Sequence, residues 1–210
     1  MTTENSNINE ESRRKNRTTL ILIAAVCILP VALAYGLNKM GWKPDQFGNY
    51  GELVQPALPL KEATLSLQSG ETVSLKQLHH KWLLIAFSDA GCNQACLANM
   101  DKMKRLQIAQ AKNQDRIQRI LVLAGRNFGN QPLPDFLTSD RDLKIVVGPQ
   151  TGIVSLLNDF SHNGETPLED ANRIYLVDPL GNLILRYPAD ADASKMHKDL
   201  ARLLRVSRVG

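Results

Sequence analysis

The run TTLILIAAVCILPVALAYGL, residues 18–37, contains no charged residue. About 20 apolar residues are what a helix needs to cross the hydrocarbon of a bilayer, so the run predicts one transmembrane anchor. It divides the chain into a polar tail (1–17), the anchor (18–37), a linker and extended arm (38–58) and a domain (59–208). Arg13, Arg14, Lys15 and Arg17 stand directly before the run. Positive charge holds that end in the cytoplasm, so the domain is expected in the periplasm, tethered to the inner membrane. Tyr35, Trp42 and Lys43 suit the outer interface. Pro30 introduces a kink that membrane helices tolerate, and Cys27 reads as a small apolar filler. A cleaved signal peptide is the competing reading, because Ala32-Leu33-Ala34 has the small-x-small form of a cleavage site. The length of the apolar run favours a retained anchor. A twin-arginine signal at Arg13-Arg14 fits less well, given the residues that follow.

The chain has 210 residues, a net charge of +4 and no basic stripe interleaved with aromatics, which speaks against nucleic-acid binding. With Cys27 in the anchor, two of the three cysteines remain for the domain, Cys92 and Cys96. In an oxidising compartment they can form a disulfide, act as a redox pair or chelate a metal.

Periodicity gives the elements of the domain. ATLSLQSGETVSL (63–75) alternates around Ser69-Gly70-Glu71 and predicts a hairpin. KWLLIAFS (81–88) is a continuous apolar run, as in a strand buried on both sides. A helix is expected from Gly91 or Cys92 to about Ala111, covering the sheet with Leu97, Met100, Met103, Leu106 and Ile108. RIQRILVLAG (116–125) and LKIVVG (143–148) predict further strands, and TGIVSLLNDF (151–160) a helix. RIYLVDPLGNLILRYP (173–188) predicts a second hairpin, turning at Asp178-Pro179-Leu180-Gly181-Asn182. A last helix follows, with Met196, Leu200, Leu203 and Leu204 inward. Alternating strands and helices imply an α/β sheet with an antiparallel portion. Neither GxGxxG, a P-loop nor HExxH occurs.

Residues i and i+4 of a helix share a face, with Cα atoms roughly 6 Å apart, a distance a disulfide can span. The loop so closed is short, so it stabilises the fold little by chain entropy. A cysteine in the first turn of a helix meets the positive end of the macrodipole, which favours thiolate. Asp89 opposes that. Two adjacent thiolates suit Cu(I).

Strand, loop, CNQAC and helix following a GETVSL hairpin resemble the Sco (SenC) branch of the thioredoxin superfamily, over about residues 50–208. NYGELVQP and YLVDPLGNLILRYPADAD resemble more specifically the short Sco-like membrane proteins of proteobacteria. The resemblance implies a thioredoxin-like fold with an N-terminal hairpin. It also implies copper as cofactor, bound as Cu(I) by Cys92 and Cys96, and a partner that is a respiratory oxidase subunit carrying the dinuclear copper centre or another assembly factor. Sco proteins add a histidine shortly before the strand that here reads IYLVDP. This chain has Asp170, Asn172 and Arg173 there, and His162 in DFSHNGE is the nearest upstream candidate. His79 and His80 are expected at the opposite end of the sheet from the cysteines, and His197 on an exposed helix face. Peroxiredoxin chemistry fits poorly, because Asp89 stands where its threonine belongs. An ordinary thioredoxin would have two residues between its cysteines and a proline at 172 or 173.

Three functions follow. The leading one is a tethered Sco-like assembly factor of cytochrome c oxidase, acting by Cu(I) delivery or by thiol-disulfide reduction with Cys92 attacking and Cys96 resolving. The second is a non-catalytic thioredoxin-like binding module with a structural disulfide. The third is a general thiol-disulfide oxidoreductase.

Overall fold

The computed structural model describes residues 4–40, 48–89, 91–125, 133–148, 150–162, 164–168 and 173–207. The chain forms two compact units, Met1–Phe47 and Gly48–Gly210.

The first unit contains helix α1 (Glu4–Lys39), which runs unbroken through Pro30. Within it Asn16–Leu37, 22 residues of mean hydropathy 2.6, is long and apolar enough to cross a membrane. Its large side chains from Leu20 to Tyr35 are exposed, Tyr35 among them. A membrane anchor and a signal sequence share these properties. Trp42 and Lys43, expected at the interface, lie outside the described residues.

The second unit is built on one eight-stranded sheet. Its strands are β1 (Glu52–Pro59), β2 (Thr64–Leu67), β3 (Thr72–Ser74), β4 (Trp82–Ser88), β5 (Ile117–Leu123), β6 (Leu143–Gly148), β7 (Ile174–Val177) and β8 (Asn182–Tyr187). They lie in the order β1-β8-β7-β4-β5-β6-β2-β3. β4, β5 and β6 are parallel neighbours, and every other pairing is antiparallel. Both expected hairpins form, as β2–β3 and β7–β8. Part of the expected arm is itself a strand, β1, paired to β8 with a register shift between Leu53 and Leu58.

All seven residues of β4 are buried, as its unbroken apolar run requires of a central strand covered on both faces. On one face pack α2 (Gln94–Ala109), through Met100, Met103 and Leu106, and α5 (Ala193–Val206), through Met196, Leu200 and Leu204. On the other pack α4 (Gln150–Phe160), through Ile153, Leu156 and Phe160, and the hairpin residues Leu65, Leu67 and Val73. A short helix, α3 (Asp135–Thr138), precedes β6. Each such side chain contributes about 1.5–3 kcal/mol on full burial. Ile108, expected to cover the sheet, is instead 58% exposed. Five residues beyond Met103 it is turned about 140° from the buried stripe at ~3.6 residues per turn. Gln107 takes the inward position, and its amide donates to the Ile117 carbonyl at 3.0 Å.

One buried carboxylate fixes where the sheet begins. Asp199 of α5, 1% exposed, accepts from the Tyr50 N–H at 2.8 Å, the Gly51 N–H at 3.0 Å and the Tyr187 hydroxyl at 3.2 Å. Burial, the Asp199 charge and that hydrogen bond hold the Tyr187 phenol protonated, far above its usual range. The backbone entering β1 is thereby tied to the last helix.

Candidate functional site

The two cysteines lie just past the carboxyl end of β4, the central strand, where α/β sheets commonly place their chemistry. They are joined in a disulfide with Cα atoms 5.2 Å apart. Cys96 is 4% exposed and packs among the α2–α5 core residues, whereas Cys92 is half-buried at the edge of that cluster. The pair is asymmetric: Cys92 is half-buried and Cys96 is covered.

The helix begins later than its sequence suggests, and this changes which cysteine feels its end. Asn93 is the N-cap of α2, and its side-chain oxygen accepts from the Cys96 N–H at 2.9 Å. Asparagine supplies such a cap readily, whereas cysteine does not. Cys92 therefore precedes the cap, and Cys96 is the cysteine in the first turn, where the macrodipole acts. The expected placement of Cys92 on the helix is corrected accordingly. The bridge straddles the cap instead of joining two turns.

Two glycines shape the loop. Gly91 has φ +64°, in the left-handed region open to glycine at no steric cost, and is buried as the chain turns into Cys92. Gly125, just after β5, lies so close to the loop that a Cβ there would overlap the Asp89 carbonyl oxygen. The Ala124 N–H donates to the Ser88 carbonyl at 2.9 Å and extends the β4–β5 pairing to the same point. Asp89 itself is exposed.

The histidines and the polar candidates lie elsewhere. His162, exposed, forms an isolated bridge with Glu165 and borders a cavity that also contains Tyr175, on the face of the sheet opposite Cys96. Among the described residues no three His, Cys, Asp or Glu side chains gather in a way that could hold a metal. The structure therefore does not bring His162 into such a group with the cysteines. Asp170 and Asn172 lie outside the described residues, and Arg173 pairs with Glu52 at 2.8 Å. His79 and His80 precede β4, at the end of the sheet away from the cysteines. The His79 Nε2 is buried against Gly181 without a hydrogen-bond partner, and the His80 N–H bonds the Pro179 carbonyl at 3.0 Å. His197 is half-exposed, with Nε2 3.4 Å from the Ala109 carbonyl.

Sequence reasoning missed the Asn93 cap and the Gly125 contact. Asn93 stood in plain view, a good cap one residue after Cys92. Gly125 carries no local signal, because its neighbour belongs to another strand's loop. Chemically, the arrangement is a dithiol–disulfide couple whose outer cysteine is half-buried, and in its reduced form a pair of soft donors.

A family model described as "transmembrane-like, thioredoxin-like, C-terminal domain" matches residues 82–207, and its companion, "transmembrane-like, N-terminal domain", matches residues 10–41. No curated protein matches the chain significantly. Among solved structures, copper-bound ScoI of Bradyrhizobium japonicum is 21% identical, with TM-score 0.54 over 70% of this chain and 99% of its own. Copper-bound yeast Sco1 is 14% identical, with TM-score 0.59 over 73% and 96%. BsSco, described as a Sco-family cytochrome c oxidase assembly protein with a disulfide switch, is 18% identical, with TM-score 0.54 over 72% and 96%. At these identities the likeness establishes the fold, a mixed α/β thioredoxin-like sheet with N-terminal hairpin strands.

Proposed function

The chain belongs to the transmembrane-like, thioredoxin-like family, and on that premise we propose that it is a membrane-tethered assembly factor of the Sco kind. In this reading α1 is a retained anchor, the domain faces the periplasm, and the partner is a respiratory oxidase subunit carrying the dinuclear copper centre or another assembly factor. The observation that carries the reading is the Cys92–Cys96 disulfide beyond β4, with Cys92 half-buried and Cys96 covered.

Reduction of the bridge by a dithiol donor yields two thiols and oxidises the donor. The Cys92 thiolate then attacks a disulfide of the partner and forms a mixed disulfide, expelling one partner thiolate. Cys96 attacks the Cys92 sulfur, restores the intramolecular bridge and releases the second partner thiol. The partner gains two electrons and this chain loses two. Alternatively, the reduced pair carries Cu(I) as cargo: two sulfurs brought together across the start of α2 fit a soft monovalent ion. His162 is retained only as a third ligand that would need to reach the pair from the opposite face.

The test uses the full chain in detergent. Cu(I) stoichiometry and the dithiol–disulfide potential are measured for wild type, Cys92→Ser and Cys96→Ser. The proposal expects Cu(I) binding or thiol exchange in wild type and loss of both in either variant; absence of both activities in wild type rejects it. The burial of Cys96 favours a second reading, a binding module with a permanent bridge. That reading expects a double Cys→Ser chain to support oxidase assembly, whereas the first expects assembly to fail. A general oxidoreductase would act on many substrates, not on one respiratory complex.

A further inference from the structure

A different kind of site lies at the same end of the sheet as the disulfide, on the other face. Register places Glu52 of β1 beside Arg186 of β8, and Arg186 beside Tyr175 of β7, in one row. The Tyr175 ring is held in a triangle of edge-to-face contacts with Phe87 and Phe160, centroids 5.0–5.6 Å apart. A cavity of about 190 Å³ opens over the row, bordered by Arg186, Tyr175, Arg173, His162, Glu165 and Thr166.

Arg186 is the anomaly. It is 6% exposed, and its Nε–H, hidden from solvent, has no hydrogen-bond partner. A buried donor without an acceptor is costly, and a guanidinium stays charged under any physiological condition. Glu52, the nearest carboxylate in the row, is engaged by Arg173 at 2.8 Å. Glu165 sits at the exposed rim and makes no ion pair among the described residues. Burial lowers the Arg186 pKa; Tyr175 and the Glu52 charge oppose it, and the Arg173 charge adds to it. Burial raises that of Tyr175, so its hydroxyl keeps its proton and can donate.

We infer that this cavity binds a small monocarboxylate, whose oxygens accept from the buried guanidinium of Arg186 and from the Tyr175 hydroxyl. The planar fork of an arginine matches a carboxylate in two parallel hydrogen bonds. Arg186 and Arg173 face Glu52 and Glu165 around the cavity, so a monoanion meets half the carboxylate repulsion that a dianion such as phosphate would. The volume is below the roughly 300 Å³ at which drug-sized ligands begin, so the acid is a small one. Nothing in this inference depends on the cysteines.

Acetate, chloride and phosphate are titrated into the full chain in detergent at neutral pH and constant ionic strength, following the Arg186 Nε–H resonance and the melting temperature. Acetate is expected to shift the resonance saturably, with Kd on the order of millimolar, and to raise the melting temperature as a native-state ligand does. Chloride is expected to do neither. Tyr175→Phe, which loses a hydrogen bond to a charged group, should weaken acetate about tenfold. A linear or absent response to acetate, an equal response to chloride, or tighter binding of phosphate overturns the assignment. If Tyr175→Phe does not fold, the wild-type contrast among the three anions decides without it.

Discussion

Arg119 on β5 and Arg186 on β8 are 2% and 6% exposed and lie on opposite faces of one sheet. Arg119 is enclosed by partners. Its Nε donates to the Gln107 side-chain oxygen at 2.6 Å and its Nη2 to Asp140 at 2.8 Å, and Lys104 shares that carboxylate at 3.0 Å. Arg186 borders a cavity between Glu52 and the Arg173 that engages it, and its Nε has no acceptor. The same side chain is structural where fixed acceptors surround it and receptive where they are missing. Burial alone does not tell the two apart; the hydrogen-bond inventory does.

Four measurements test that contrast. Asp140→Ala strands the Arg119 guanidinium in the core and should cost about 3–5 kcal/mol. In a domain of this size that lowers the melting temperature on the order of 10 °C; a loss below about 1 kcal/mol would mean that Arg119 is not held as described. Gln107→Ala removes the Nε acceptor and should cost about 1–3 kcal/mol in denaturant unfolding. Arg186→Met, measured without added carboxylate, should leave stability unchanged or raise it by about 1 kcal/mol, because a buried charge with an unsatisfied donor gives way to apolar volume. A loss as large as that of Asp140→Ala would make Arg186 a second structural arginine.

The smallest effect is in acid. Burial pushes the Asp140 carboxyl up, but hydrogen bonds from Arg119 and Lys104, the Arg119 charge and the Asp142 N–H outweigh it, and its pKa lies below the usual 3.8. A carboxyl depressed on folding adds stability that is fully present above its unfolded pKa and lost as pH falls through the folded one. Wild type should therefore lose part of its stability below about pH 3.8, and Asp140→Asn should lack that component. Melting curves of both chains across pH 3–6 would check it.

Elements governed by local periodicity were legible. WLLIAF is β4, the 63–75 alternation is the β2–β3 hairpin, and Met100, Met103 and Leu106 are the inner face of α2. The cysteine pair was legible as a pair, and its oxidised state is among the three outcomes expected of it. The start of α2 was not, because apolar spacing marks a helix face better than its first residue; the Asn93 hydrogen bond decides it. Ile108 was misjudged because apolar character was weighed without helical phase.

Local order along the chain was enough to establish one apolar span, a two-cysteine motif behind a central strand and the alternation of strands and helices, since each depends on side chains within a turn or two of one another. Long-range packing, not local pattern, leaves Cys92 half-buried with Cys96 covered and sets His162 at a cavity across the sheet from Cys96. It also decided that Glu52, Tyr175 and Arg186 form one row. Strand register joins residues more than a hundred positions apart, and no short-range pattern encodes which backbone hydrogen bonds will pair.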